Sequence, residues 1–193
     1  MGRRPGRRSQ LLPHPGDCQS ADRIHSQIMV SRTPILLAIA ALLLAVPVVA
    51  QAETARGTSH ADVFAGTPAG DEYWGYGGND VLRGKGGGDR LFAGRGADLV
   101  VAGRGADNVH GGHGGDRVLA GRGDDRFWGG GGGDYVRGGR GADRLNTGTG
   151  NDTVIVKRDD GKVDSVDCGS GIDRAVIHSE DNEVNCEDVK VIS

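Results

Sequence analysis

An all-β solenoid is the fold class that this sequence predicts, on three regularities. Eleven aspartates (Asp62, Asp71, Asp80, Asp89, Asp98, Asp107, Asp116, Asp125, Asp134, Asp143 and Asp152) stand nine residues apart with no insertion or deletion between them. Glycine lies two residues before nearly all of them, and usually four before. An apolar or aromatic side chain lies two residues after every one: Phe64, Tyr73, Leu82, Leu91, Val100, Val109, Val118, Phe127, Val136, Leu145 and Val154. A short period held without interruption marks a stacked repeat, because one such unit cannot bury its apolar side alone. The glycine-rich half of each unit is a turn, since glycine reaches backbone conformations closed to other residues. The other half is a three-residue strand whose central side chain points inward, as strand side chains alternate between faces.

Gly111-Gly112-His113-Gly114-Gly115-Asp116-Arg117-Val118-Leu119 is the fullest copy and reads G-G-x-G-x-D-x-U-x, with U apolar. This nonapeptide resembles the calcium-binding repeat of the RTX (hemolysin-type) family, over roughly residues 57–155. The resemblance implies a secreted bacterial calcium-binding repeat protein built as a right-handed parallel β-roll. Two nonapeptides then make one coil of eighteen residues, and successive turns fall on opposite edges. Asp80, Asp98, Asp116 and Asp134 would line one edge, with Asp89, Asp107, Asp125 and Asp143 lining the other.

The residues themselves give calcium binding a reason. Strands stacked about 4.8 Å apart set same-edge carboxylates close together, where they repel and raise one another's pKa. A Ca2+ ion between two coils removes the conflict, taking about six to eight oxygens from carboxylates and carbonyls. The expected ligands are Asp71, Asp80, Asp89, Asp98, Asp107, Asp116, Asp125, Asp134, Asp143 and Asp152. Turn glycines Gly84, Gly86, Gly111, Gly112, Gly129, Gly130, Gly138 and Gly139 supply carbonyls. Eight same-edge pairs, from 71/89 to 134/152, give about eight ions.

The copies are unequal. His60 and Ala69 replace glycine in the first two turns, which read as a degenerate cap. Ala93, Ala102 and Ala120 replace the first glycine of their turns and would be strained if that position needs positive φ. Arg95, Arg104, Arg122 and Arg140 recur at the third turn position. They read as a solvated face offsetting the aspartates, with a basic stripe for a polyanion as the sharper alternative. Trp74, Phe92, Leu119 and Trp128 fall at outer strand positions and leave some apolar surface for a partner or for self-association.

Upstream of the repeats, residues 29–52 have the form of a signal peptide. Arg32 precedes the uncharged run 34–50, and Ala50-Gln51-Ala52 forms a cleavage site after Ala52. The run is shorter than a membrane helix prefers, so no stable membrane span is expected after cleavage; an uncleaved anchor is the alternative. Residues 1–28, rich in Arg and Pro, are expected to be an untranslated or disordered leader, with Met29 as the start. The mature chain from Glu53 carries 24 acidic and 17 basic side chains, a net charge near −7 against −3 for the whole. That balance suits a divalent cation and argues against nucleic acid as the main partner.

Cys168 and Cys186 remain after cleavage, an even pair that an oxidising compartment would join as a disulfide. Two free thiols are the alternative. Residues 53–156 are then the roll and 157–193 a C-terminal cap, similar to the terminal cap of secreted bacterial calcium-binding repeat proteins. Lys157 to Lys162 reads as a polar turn, and Val176-Ile177 and Val189 to Ile192 as short strands covering the last coil. Asp173 lies twenty-one residues after Asp152, which predicts a lost register; Asp164, Asp167 and Asp173 are candidates for one more ion.

Catalytic chemistry is not expected. His110-x-x-His113 reads as surface turn residues rather than a transition-metal pair, and no nucleophile elbow, zincin helix or phosphate loop is present. Without calcium, the acidic, glycine-rich chain favours disorder; with it, binding energy becomes folding energy. Two function classes follow: a secreted calcium-binding repeat protein that folds on binding, or an extracellular adhesin holding a cell-surface glycan or protein on an Arg or aromatic stripe.

Overall fold

The computed structural model describes residues 29–30, 51–156 and 161–192. Their strands lie in two sheets, and no helix occurs among the described residues. One sheet runs β1 (Met29–Val30), β2 (Thr54–Arg56), β4 (Glu72–Trp74), β6 (Arg90–Arg95), β8 (Asn108–His113), β10 (Arg126–Gly131), β12 (Arg144–Thr149), β14 (Ser165–Asp167) and β16 (Asn182–Val184). The other runs β3 (Val63–Ala65), β5 (Val81–Gly86), β7 (Leu99–Arg104), β9 (Arg117–Arg122), β11 (Tyr135–Arg140), β13 (Thr153–Ile155), β15 (Arg174–His178) and β17 (Asp188–Ile192). Only β1, antiparallel to β2, departs from parallel pairing. The chain is therefore a parallel β-solenoid that changes sheet at every turn.

Partners through most of the stack are eighteen residues apart, as in Phe127 with Leu145 and Val118 with Val136. The eleven predicted inward residues are all buried, at 0–3% exposure, and form one core between the sheets. Alternation sets this up: the two neighbours of each inward residue face solvent, so each strand contributes one large side chain to the interior.

The turn positions are not equivalent. In the turn from Ala120 to Asp125, Gly121 and Gly123 have φ of 120° and 128°, where an L side chain is strained. Ala120 itself is outside that region, as are Ala93 and Ala102, so these alanines carry no left-handed backbone strain. Lys85 and Tyr76 do, at φ 77° and 67°, because they occupy the second turn position.

Beyond Asp152 the period changes without losing the register. Arg144 pairs with Ser165 and Thr153 with Arg174, twenty-one residues on. Three extra residues are absorbed between β13 and β14, and Asp164 and Asp173 arrive beneath Asp143 and Asp152. The expectation of a lost register is corrected: strand pairing is set by the strands themselves, so a connection three residues longer leaves it intact. The expected strands near Val176 and Val189 are β15 and β17.

Cys168 and Cys186 form a disulfide with Cα atoms 5.2 Å apart. It ties the turn after β14 to the end of the last coil. Cys186→Ser should lower stability by about 3 kcal/mol and raise hydrogen exchange selectively in residues 182–192. Unchanged exchange there would contradict a stapling role.

The proposed leader, the apolar run 34–50 and Lys157 to Asp160 of the polar turn lie outside the described residues. Among the described residues no helix is long and apolar enough to cross a membrane.

Candidate metal centre

The turns place the aspartates in two files. Edge A carries Asp62, Asp80, Asp98, Asp116, Asp134, Asp152 and Asp173; edge B carries Asp71, Asp89, Asp107, Asp125, Asp143 and Asp164. From Asp71 onward, each carboxylate bonds upward through one oxygen. The Asp80 N–H donates to Asp98 Oδ1 at 2.7 Å, and the Asp98 N–H to Asp116 Oδ1 at 2.9 Å. On edge B, the Asp89 N–H donates to Asp107 Oδ1 at 2.8 Å, and the Asp107 N–H to Asp125 Oδ1 at 2.9 Å. Across the insertion the pattern persists, with Asp143 donating to Asp164 Oδ1 and Asp152 to Asp173 Oδ1, both at 2.8 Å.

The second oxygen is the informative one. Oδ2 of Asp80, Asp89, Asp98, Asp107, Asp116, Asp125, Asp134 and Asp152 is buried and accepts no hydrogen bond among the described residues. A buried carboxylate oxygen left in that state is costly unless something charged meets it.

At Asp80, Asp89, Asp116 and Asp134 this oxygen faces a hollow left by a glycine at the first turn position. A Cβ on Gly111 would stand 2.5 Å from Asp116 Oδ2 and 2.9 Å from the Gly129 carbonyl oxygen of the next coil. The same two kinds of oxygen crowd the missing Cβ of Gly75 (Asp80 Oδ2, Ala93 O), Gly84 (Asp89 Oδ2, Ala102 O) and Gly129 (Asp134 Oδ2, Thr147 O). Carboxylate and carbonyl oxygens converging on a cradle without a donor are a donor set for a hard cation. No group of three His, Cys, Asp or Glu side chains gathers as a metal site among the described residues; a cation held in these cradles would need main-chain carbonyls as well.

Both ends of the ladder are closed by side chains. At the first turn of edge A, the Tyr73 hydroxyl would be 2.5 Å from a Cβ on Gly57, beside Asp62 Oδ2 and Gly75 O at 2.8 Å. At the first turn of edge B, Asp71 Oδ2 accepts the Thr67 N–H at 2.6 Å, and the Thr67 hydroxyl donates to Asp71 Oδ1 at 3.0 Å. Downstream, the Thr147 hydroxyl donates to the Cys168 carbonyl at 2.8 Å. Val156, Cys168 and Ile177, all buried, stand where earlier turns carry Gly or Ala.

Electrostatics follow from this burial. Desolvation raises Asp80, Asp107 and Asp134 to about 6, Asp89 and Asp116 to about 7 and Asp125 to about 8. The N–H bond from the preceding coil opposes the rise, and same-edge carboxylates add to it at Asp80, Asp89, Asp116, Asp125 and Asp134. Tyr73 is also pushed upward by burial. Burial thus opposes ionisation of the ladder carboxylates.

The predicted residues divide accordingly. Gly84 and Gly129 present carbonyls to the cradles above them, at Gly66 and Gly111. Gly111 and Gly138 hold first positions beside Asp116 Oδ2 and Asp143 Oδ2. Gly112, Gly130 and Gly139 hold second positions, at φ 111°, 100° and 120°; Gly86 is a third-position residue with nothing nearer than 3.7 Å to a Cβ there. Asp167 stays out of the ladder, accepting from Asn146 Nδ2 and Asn185 Nδ2 on the outside of the sheet. Sequence reasoning missed the Thr147 carbonyl and the Tyr73 hydroxyl, for which the pattern holds no signal.

His110 and His113 do not converge. His110 is in a strand, stacked between Phe92 and Trp128 at centroid distances of 4.8 and 4.7 Å, and burial lowers its pKa. Trp74, Phe92, His110 and Trp128 make one column of rings; Leu119 lies on the other sheet. Reading both histidines as turn residues is corrected for His110, which alternation places outward beside inward Val109.

A family model of the RTX calcium-binding nonapeptide repeat, four copies long, matches residues 56–91, 74–109, 92–127, 110–145 and 119–154. No curated protein and no solved structure matches the chain.

Proposed function

Since this chain belongs to the RTX calcium-binding nonapeptide repeat family, we propose that it is a secreted protein whose roll folds on taking up Ca2+ between successive turns. The row of buried, unpartnered Asp Oδ2 atoms facing carbonyls of the next coil carries this reading. Bound calcium would supply the positive charge that these oxygens lack. Asp80, Asp98, Asp116 and Asp134 would hold it on edge A, and Asp89, Asp107, Asp125 and Asp143 on edge B. Eight cradles would follow, with one between Asp143 and Asp164 in place of one at Asp71, whose carboxylate Thr67 engages.

The protein's own residues explain the dependence. Burial raises the carboxylates of Asp89, Asp116 and Asp125 to about 7 or 8, so charging the ladder at neutral pH works against folding unless a counter-charge is present, and the core column alone is one residue wide per strand. Calcium then acts as folding energy, and extracellular sites of this type bind at about 10⁻⁴–10⁻³ M. Residues 1–28, 29–52, 53–156 and 157–193 would be leader, signal peptide, roll and cap.

Circular dichroism of the full chain tests the proposal. A β spectrum in about 1 mM calcium should collapse on chelation and return on readdition. Asp107→Ala should weaken two neighbouring sites, while Arg104→Ala leaves the ion stoichiometry unchanged. A β spectrum indifferent to calcium would refute the folding mechanism.

A further inference from the structure

The net charge of the sequence misrepresents the folded surface. Between residues 83 and 144 there are eleven Arg and Lys side chains, all exposed, and eight carboxylates, of which seven are buried. Asp124 is the one exposed carboxylate in that stretch, and its Oδ1 already accepts the Ala142 N–H at 2.9 Å. The exposed cations are unevenly placed. Arg104, Arg122 and Arg140 stack in register along the crest of edge B. Arg90, Arg126 and Arg144 begin the strands just past it on one sheet, and Arg83 and Arg137 lie just before it on the other. Within the same stretch, edge A has Arg95 at its crest and Arg117 beside it. The recurring third-position arginines are thus not one stripe: Arg95 is separated from the other three by the width of the roll.

A shallow groove on the shoulder of edge B is lined by Leu119, Gly121, Arg122, Arg137 and Arg140. Three guanidiniums therefore border one depression, with the crest continuing it toward Arg104.

We propose that edge B of the calcium-loaded roll is a docking surface for a linear anionic polysaccharide. The proposal rests on the calcium reading, because the carboxylates of Asp89, Asp107, Asp125 and Asp143 lie directly beneath this crest. Neutralised by calcium, these carboxylates no longer offset the guanidinium field above them. Single-file arginines at the strand spacing, about 4.8 Å, match a narrow polymer carrying carboxylates or sulfates along its length, and guanidinium forks suit such groups. A single-stranded nucleic acid would also want aromatic faces. The rings of this protein are on the sheet face, stacked on each other with interplanar angles of 6–13°, so their faces are mostly covered.

The test uses the full chain in about 1 mM calcium, with heparin as the polyanion, dextran as the uncharged control and oligo-dT as the nucleic-acid competitor. Heparin should bind, dextran should not, and about 0.3 M salt should weaken binding strongly. The triple variant Arg104→Ser, Arg122→Ser, Arg140→Ser should lose about tenfold or more in affinity, with its calcium-induced circular dichroism intact; Arg117→Ser should bind like the parent. An intact calcium-induced spectrum without heparin binding, or with binding unchanged in the triple variant, overturns the surface. Tighter binding of oligo-dT than of heparin overturns the choice of polymer. Arginine-dependent heparin binding on a calcium-insensitive spectrum supports the surface but overturns its dependence on calcium and the folding mechanism together.

Discussion

With calcium chelated, acidifying the solution from about pH 8 to about pH 4.5 should bring the roll back, read as the return of its β spectrum. An unfolded aspartate titrates near about 3.9. In the roll, burial raises Asp80, Asp107 and Asp134 to about 6, Asp89 and Asp116 to about 7 and Asp125 to about 8. The folded state therefore holds protons that the unfolded state releases. Metal-free stability is fully present below the unfolded value and drains away as pH rises through about 6 to 8. Calcium works in the opposite sense, since its ligands must be ionised. Asp116→Asn separates the two effects. It keeps an acceptor for the Asp98 N–H and removes one buried charge, so the chelated roll should persist to higher pH while calcium uptake falls. A chelated chain that stays unfolded at every pH from 4 to 8 would contradict this account.

Gly123→Ala should destabilise the calcium-saturated roll by more than about 3 kcal/mol. Two costs combine. At φ 128° an L side chain is strained, and the new methyl would sit against the Gly105 carbonyl oxygen of the preceding coil. That oxygen belongs to backbone and has no rotamer to move into. Gly77→Ala is the control, because a Cβ there meets nothing closer than 3.7 Å and φ is not left-handed. It should be neutral, or stabilising by about 0.4–1 kcal/mol. Denaturant midpoints in saturating calcium measure both; equal midpoints for the two variants would show that close coil stacking is not what demands glycine.

The solenoid was legible because one nine-residue period governs both burial and turning: Phe64 through Val154 could be assigned inward before any coordinates. The aspartate ladder was legible for the same reason. Its limits were not. Tyr73 looks like any other inward residue, and only its length brings the hydroxyl to the Asp62 turn. Thr147 occupies a glycine position, and nothing in the pattern says that its hydroxyl binds the next coil's carbonyl. The three-residue insertion hid the continuation of the ladder to Asp164 and Asp173, because counting along the chain cannot tell a longer connection from a slipped strand. The charge balance misled for a simpler reason: a sum over the sequence weighs a buried carboxylate and an exposed guanidinium alike.

Cys168 stands at the first position of its turn, where most earlier coils of edge A leave a hollow, and its bond to Cys186 reaches into the final coil. On the proposed function, the stack would be fastened by two chemistries with separate triggers. Along its length the fastening would be ionic and answer to metal concentration; at its foot it is covalent and answers to redox potential. A one-dimensional stack pinned at one end lengthens from that end, each coil settling on a finished neighbour. Oxidation before calcium arrives would then give the growing roll a direction.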